Sequence, residues 1–561
     1  MTDFNEDKQN SRLDEIRKKE EEDVAQILAR RHNLTYINLY PVPINTDALR
    51  LIEEADARAG KMAVFNLMGK KIDVALVSVD NPSTKQILDQ LERKGFEPRL
   101  FMVSPLGLEK AWSRYADLSH AEVSRTGSLE ISSEQIALLV SKTKNIDDIK
   151  KQVDEVMQTK KAYRVSMIIE TILAGALATK ASDIHLEPEE NYANLRYRID
   201  GVLIQILQFD RASMDQITSR IKLLSGLKLN VKSEAQDGRF SIKITEGDIE
   251  IRTSVLPGSY AESIVLRLLN PKSIAVPLED MGMSENLLKL LLAEIAKPNG
   301  MLLTTGPTGS GKTTTLYAFL RKVYSPEIKI LTIEDPVEYH LPGITQTQVD
   351  DEKGYTFLNG LRAALRQDPD VIMVGEIRDE ETAKIAINAA LTGHLVFSTL
   401  HTNNAAGAFP RLIDLGVNPK VISSAINATI AQRLLRKLCT ECKKEIEPST
   451  ETKQFLEKVL ASIRLPEPKA GLTTNKVFTA VGCDKCNKTG YKGRVGIYEV
   501  ILKSPELDLL INNNPSEREI KKVAADKGFL DMRQDGVIKI LKGITDLDEL
   551  GRVIDLNEEI V

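Results

Sequence analysis

Residues 306–313 read Gly306, Pro307, Thr308, Gly309, Ser310, Gly311, Lys312 and Thr313, with Thr314 next. A short apolar run, Met301 to Thr305, precedes them, and a helix-forming run, Thr314 to Val323, follows. Strand, glycine-rich loop and helix start, in that order, are the context a phosphate-binding loop requires. Gly306, Gly309 and Gly311 let the backbone turn tightly and aim several N–H groups at a polyphosphate. The helix N-terminus adds about half a positive charge where the anion sits. Lys312 can reach the β- and γ-phosphates, and the Thr313 hydroxyl can ligate Mg²⁺. A turn that merely happened to contain Gly-Lys-Thr would not need every other position and both flanks to match. The sequence predicts a nucleoside triphosphate site.

With 561 residues the chain has room for about three to five domains, each with its own core. Lys and Arg number 75 against 80 Asp and Glu, a net charge of −5, so a nucleic-acid polyanion is not expected as the main partner. No apolar run approaches the ~18 residues of a membrane span. The start carries Asp3, Glu6 and Asp7 and does not read as a signal peptide. A cytoplasmic protein is expected.

Leu13, Ile16, Val24, Ile27, Leu28 and Leu34 mark an amphipathic helix, and the mixed charges of Arg17 to Asp23 read as its solvated face. Asp73 to Val79 reads as a buried strand and Ser83 to Arg93 as a helix, so a small α/β domain is expected over 1–117. Residues 118–155 turn to Ser, Thr, Asp and Glu and read as a linker with one short helix, Ser133 to Ser141. A helix over Ala162 to Thr179 opens a second, α+β domain over 156–270. Its strands show by alternation: Leu195 to Ile199 and Val202 to Leu207 flank the turn pair Asp200-Gly201, and Phe240, Ile242, Ile244, Ile249 and Ile251 alternate with polar residues. A proline-bearing hinge is expected at 271–285, a nucleotide-binding domain at 286–436 and a helical region at 501–561.

Three further stations stand at the ends of apolar strands. Glu334 closes Lys329 to Ile333, Glu376 follows Val371 to Val374, and His401 follows Leu395 to Leu400. In an open parallel sheet, ligands bind outside the carboxyl ends of the strands, so all three are expected to face the nucleotide held by Lys312. A carboxylate there can hold Mg²⁺, another can orient or deprotonate the attacking water, and an imidazole can sense the γ-phosphate.

The loop Gly306 to Thr313, with Thr332 to Glu338, Leu365 to Asp379 and Thr392 to Thr402, resembles the four boxes of the secretion ATPases, the hexameric motors of type II secretion and type IV pilus assembly. The resemblance covers about 150–561. It implies a RecA-like P-loop ATPase domain preceded by an α+β, PAS-like domain and a small N-terminal α/β domain. It implies ATP and Mg²⁺ at Lys312 and Thr313, Glu334 as the catalytic base, Glu376 as the Walker B acid, His401 as the γ-phosphate sensor and His394 as a supporting residue. Ala181 to Glu187, Gln236 to Arg239 and Arg252 to Arg267 resemble the domain that precedes the motor in that family. Arg252 and Arg267 match its arginine fingers, and a guanidinium fork suits charge spreading over phosphoryl oxygens. Ala261 stands where the family usually has Gly, which bears on a turn more than on chemistry.

The four cysteines form two C-x₂-C pairs, Cys439 with Cys442 and Cys483 with Cys486. In a reducing compartment this pattern predicts one structural Zn²⁺ held by four thiolates, in a module over 437–500 with a helical insert at 449–475. Assembly and secretion motors of the family carry such a module, and the related retraction motors typically lack it. The resemblance therefore implies a homo-hexamer, peripheral to the inner face of the cytoplasmic membrane, driving an inner-membrane platform protein. A ring-shaped nucleic-acid translocase shares that logic, but the acidic balance and the lack of aromatic-basic patches oppose it. A nonhydrolytic nucleotide-dependent scaffold would keep the loop and lose the acids, and Glu334 and Glu376 are both present.

Overall fold

The computed structural model describes residues 20–42, 44–68, 70–117, 122–123, 129–130, 133–159, 163–244, 247–270 and 276–557. The chain forms two compact units, Met1–Ile136 with Lys151–Ile172 and Asp215–Leu224, and Ala137–Lys150 with Leu173–Met214 and Ser225–Val561.

In the first unit a helix spans 20–31, and Leu13 and Ile16 of the expected helix lie outside the described residues. Four strands follow, β1 (Thr35–Tyr36), β2 (Met62–Met68), β3 (Lys71–Leu76) and β4 (Glu97–Met102), in the order β1-β4-β3-β2. Ile72 to Leu76 are all buried, as expected of a central strand with both faces covered. The strand ends at Leu76, short of the expected Val79, although the Val77 N–H still bonds the facing Lys61 carbonyl. The helix Pro82–Arg93 begins where Asn81 caps the Ser83 N–H and Pro82 fixes the first turn. The chain's one tryptophan, Trp112, is buried here and donates its indole N–H to the Met62 carbonyl at 3.0 Å.

The interval expected as a linker holds the helices Ser133–Lys142 and Ile146–Met157, and Arg164–Ala178 follows. The second unit carries a six-stranded sheet of β5 (Asp183–Pro188), β6 (Tyr192–Ile199), β7 (Val202–Asp210), β8 (Gln236–Ile244), β9 (Gly247–Pro257) and β10 (Glu262–Leu269), in the order β8-β9-β10-β5-β6-β7. Every pairing in it is antiparallel. Asp200 and Gly201, at φ 49° and 87°, make the two-residue turn between β6 and β7, the left-handed geometry that the Asp-Gly pair favours. Of the expected hinge, 271–275 lie outside the described residues, and Leu278–Met281 forms a short 3₁₀ turn.

The same unit carries a seven-stranded sheet: β11 (Gly300–Thr305), β12 (Ile330–Glu334), β13 (Thr345–Gln348), β14 (Val371–Val374), β15 (Leu395–Leu400), β16 (Ile426–Leu438) and β19 (Tyr491–Leu502), ordered β13-β12-β14-β15-β11-β16-β19. All pairings are parallel except β16 with β19. The central strands read as continuous apolar runs because both faces are covered. Met301, Leu303, Ile372, Val374 and Val396 point into one core, and Leu302, Val371, Met373, Leu395 and Phe397 into the other. Each fully buried side chain of this kind contributes about 1.5–3 kcal/mol.

The cysteine module is an excursion from the β16–β19 pair. Between these strands lie β17 (Lys444–Ile446), the helix Thr450–Ser462 within the expected insert, and β18 (Val477–Thr479), which pairs with β17. The expected boundaries at 436 and 500 fall inside β16 and β19, so strand pairing joins the module and the C-terminal helices to the motor core. Among the described residues, no helix is long and apolar enough to cross a membrane.

Candidate nucleotide site and tetracysteine centre

The loop after β11 runs into α1 (Lys312–Val323), whose N-cap is Gly311 at φ 94° with no side chain capping the first turn. The first N–H groups of α1 are thus free of a side-chain acceptor, the condition under which a helix start takes an anion. Glycine is required at two points. A Cβ on Gly306 would stand 2.8 Å from the Gln432 carbonyl, and one on Gly311 would stand 2.9 Å from Gln432 Nε2. The buried Ser310 hydroxyl has no protein partner. Lys312 folds back onto the Gly306 and Pro307 carbonyls at 2.7 and 3.1 Å. Burial lowers its pKa, Glu376 opposes that shift and Arg433 adds to it. An uncapped helix start, an unpartnered hydroxyl and an ammonium on two carbonyls fit a polyphosphate.

Glu376 lies one residue beyond Gly375, which follows β14, and His401 directly follows β15. His401 Nε2 is 3.1 Å from Glu376 Oε2, and the other Glu376 oxygen is paired with Arg378. Burial raises the Glu376 pKa, but Arg378 and His401 outweigh it and hold the carboxyl below its usual range. The structure thus brings Lys312, Glu376 and His401 to one end of the sheet. His394 is apart, with Nδ1 3.1 Å from the Ala389 carbonyl, a structural contact at the end of a helix.

Glu334, expected as the base, is enclosed by donors. It is buried, 3 % exposed, and three donors meet its carboxylate. Thr332 Oγ1 and Gln346 Nε2 donate to Oε1 at 2.5 and 3.0 Å, and the Tyr317 hydroxyl of α1 donates to Oε2. Burial raises its pKa against these donors. The carboxylate ties α1 to β12 and β13.

The arginines form a row across the six-stranded sheet. In register, Arg239 faces Arg252, Arg252 faces Arg267, Arg267 faces Asp183 and Asp183 faces Arg198. Arg252 Nη2 donates to the Val337 carbonyl at 2.7 Å, and Nη1 stands 3.4 Å from Glu338. Arg267, 55 % exposed, donates Nε–H to Asp183 at 3.0 Å. Arg252 is therefore engaged by the turn that follows Glu334, and Arg267 by its own sheet. Ala261 accepts the Gly258 N–H at 3.1 Å, so the turn before β10 closes without the glycine usual there.

The four cysteine sulfurs lie within 4.8 Å of one another. The pairs Cys439–Cys483, Cys442–Cys486 and Cys483–Cys486 are 3.9, 3.9 and 3.7 Å apart. A tetrahedron with metal–sulfur bonds of ~2.3 Å has an edge of about 3.8 Å, so the donor set fits Zn²⁺. Backbone N–H groups of Gly482, Cys483 and Gly490 point at Cys442 and Cys486 Sγ, as suits thiolates.

The family model "Type II/IV secretion system protein" matches residues 158–552. The chain belongs to that family. It is 44% identical to the type II secretion system protein E of Pseudomonas aeruginosa over 72% of this chain and 78% of that one. It is 36% identical to the type IV pilus assembly ATPase PilB of Myxococcus xanthus over 95% of this chain and 91% of that one. The fold is also that of the Yersinia pseudotuberculosis ATPase DotB, at TM-score 0.51 and 20% identity over 69% of this chain and 93% of that one. This member of the secretion family is an ATPase, and its class works on nucleotide with Mg²⁺.

Sequence reading missed the residues that shape this secretion ATPase's loop from behind. Gln432, 1 % exposed on β16, donates to the Ser310 carbonyl at 2.9 Å and accepts from Thr315 Oγ1 at 2.8 Å. Arg378, two positions past Glu376, balances its charge. Polar Gln432 inside an apolar strand run was the available signal, since buried amides are kept where they are bonded.

Proposed function

We propose that this secretion ATPase is a hexameric motor on the inner face of the cytoplasmic membrane, driving an inner-membrane platform protein that extrudes pilin-type subunits. The observation that carries the reading is the placement of Lys312, on an uncapped helix start, beside the Glu376–His401 pair. Binding of ATP would move Lys312 from the Gly306 and Pro307 carbonyls to the β- and γ-phosphates. The loop from Pro307 to Thr314 would cradle the phosphates with main-chain N–H groups, and Thr313 with Glu376 would hold Mg²⁺, which neutralises charge on the transferring group. His401, bonded to Glu376, would read the γ-phosphate. Glu376 is the carboxylate better placed to orient water, because Glu334 would first have to give up donors from Thr332, Tyr317 and Gln346. Arg252 and Arg267 would supply the fingers once released from Glu338 and Asp183. Cys439, Cys442, Cys483 and Cys486 would hold Zn²⁺ as a closed structural site.

Pilus assembly is favoured by a likeness that runs through the N-terminal unit as well as the motor. Type II secretion is the second reading, since type II secretion proteins E and shorter pilus assembly matches stand at the same 44% identity over about 70% of the chain. Steady-state phosphate release tests the site. Lys312→Ala should fold normally and fall below about a tenth of the parent rate, a loss of more than about 1.4 kcal/mol in transition-state stabilisation. A variant that retains most of its turnover would remove the phosphate-loop assignment.

A further inference from the structure

A cavity of about 480 Å³ lies behind the loop that follows His401, with Asn403, Asn404, Arg433, Glu499, Glu517 and Lys521 in its wall. Glu499, on β19, is 7 % exposed, and its carboxylate accepts the Ala405 N–H at 2.9 Å. Glu517 opens α2 (Glu517–Asp526) and accepts from Asn404 Nδ2 at 2.7 Å, while Lys521 one turn on holds Glu517 at 3.0 Å. Arg433 Nη2 donates to the Asn403 carbonyl at 3.3 Å. Inside the loop, Asn404 accepts the Gly407 N–H through its side chain and the Thr402 hydroxyl through its carbonyl. His401 itself is 55 % exposed, with Glu376 as its side-chain partner.

A buried carboxylate is costly unless bonded, and here the bond goes to a main-chain N–H that an apolar residue could not satisfy. That bond and the one from Asn404 to Glu517 fix the path of the backbone leaving His401, while the cavity leaves the loop room to move once they are lost. We propose that Glu499 and Glu517 are positioning residues for hydrolysis, holding His401 against Glu376 by anchoring residues 402–407 from the C-terminal part of the chain. The proposal rests on the reading of His401 as part of the ATPase site. It makes the region after β19 a participant in turnover, acting through the loop and not by touching nucleotide.

The test uses the full chain and two readouts, amide hydrogen exchange of the 402–407 segment and steady-state ATPase kinetics. Glu517→Ala and Asn404→Ala should each speed exchange of that segment and lower kcat by about ten- to a hundredfold, with KM for ATP within about twofold, because misplaced groups cost rate more than binding. The conservative Glu517→Gln keeps a carbonyl acceptor for Asn404 and should restore both readouts. Glu499→Ala should behave like Glu517→Ala, and the two exposed-side variants keep the test open if the buried one fails to fold. Exchange that stays unchanged in Glu517→Ala and Asn404→Ala overturns the anchor. Faster exchange with unchanged kcat, in a protein that His401→Ala inactivates, overturns the positioning role and leaves the site reading standing. If His401→Ala itself turns over normally, the site reading and the inference fall together.

Discussion

The two acids near the nucleotide differ in environment more than in sequence context. Glu376 is shared between Arg378 and His401 and stands beside Lys312, whereas Glu334 is enclosed by Thr332, Tyr317 and Gln346. Glu376→Gln should cut kcat at least about a hundredfold with the fold intact, as expected for a group that acts on the reacting atoms. Glu334→Gln turns an acceptor-only group into one with an NH₂ facing donors, and should cost about 1–3 kcal/mol in urea unfolding. A Glu334→Gln protein of parental stability and no turnover would instead assign the base to Glu334. Glu499 adds a pH signature. Burial is the main cause that lifts its pKa from 4.5 to about 7, with Asp531 adding to it and the Ala405 and Ala406 N–H groups and Lys521 opposing. The folded state thus favours the protonated form, and the stability this contributes is complete below about 4.5 and gone above about 7. The unfolding midpoint should fall less steeply between those values in Glu499→Gln than in the parent, measured by thermal melts in matched buffers.

At the scale of elements, the phosphate loop, the three stations at strand ends and the β6–β7 turn were legible because each is a local pattern with one physical reading. The β16–β19 pair was not. Its two strands are separated by the whole cysteine excursion, and nothing in local periodicity says that Tyr491–Leu502 returns to close the sheet beside Ile426–Leu438. The same long-range pairing hid Gln432 and Glu499, whose purpose shows only when distant strands stand side by side. The excursion has its own anchor. One Zn²⁺ per chain should copurify by elemental analysis, and Cys439→Ser should lower the melting temperature of the motor unit, because metal binding at such a site supplies folding free energy. Metal-free protein with an unchanged melt would leave the four sulfurs without a role in folding.

For the whole molecule, the row Arg239, Arg252, Arg267 and Arg198 holds one interposed carboxylate, Asp183. Such a row suits an anion that comes and goes, and loss of the γ-phosphate on hydrolysis would release the arginines and let their sheet move. Arg267→Ala should therefore lower kcat by about 10³-fold or more while the ATP dissociation constant changes little, since the contact strengthens as charge develops on the transferring group. Paired spin labels on β9 and α1 should report a distance change between ATP-analogue and ADP states in the parent and a smaller one in the variant. Normal turnover with normal switching would free Arg267 from any part in that movement.

The antiparallel closing strand also sets an order in time. Chains are made from the N-terminus at roughly 5–20 residues per second, and domains fold as their parts emerge. The phosphate loop leaves the ribosome long before β19, the strand that completes its sheet and carries Glu499. A nascent chain that already displays Gly306 to Thr313 still lacks the edge of its sheet and the anchor of its catalytic loop. The edge of that sheet and the 402–407 anchor are thereby completed only after β19 and α2 have been made.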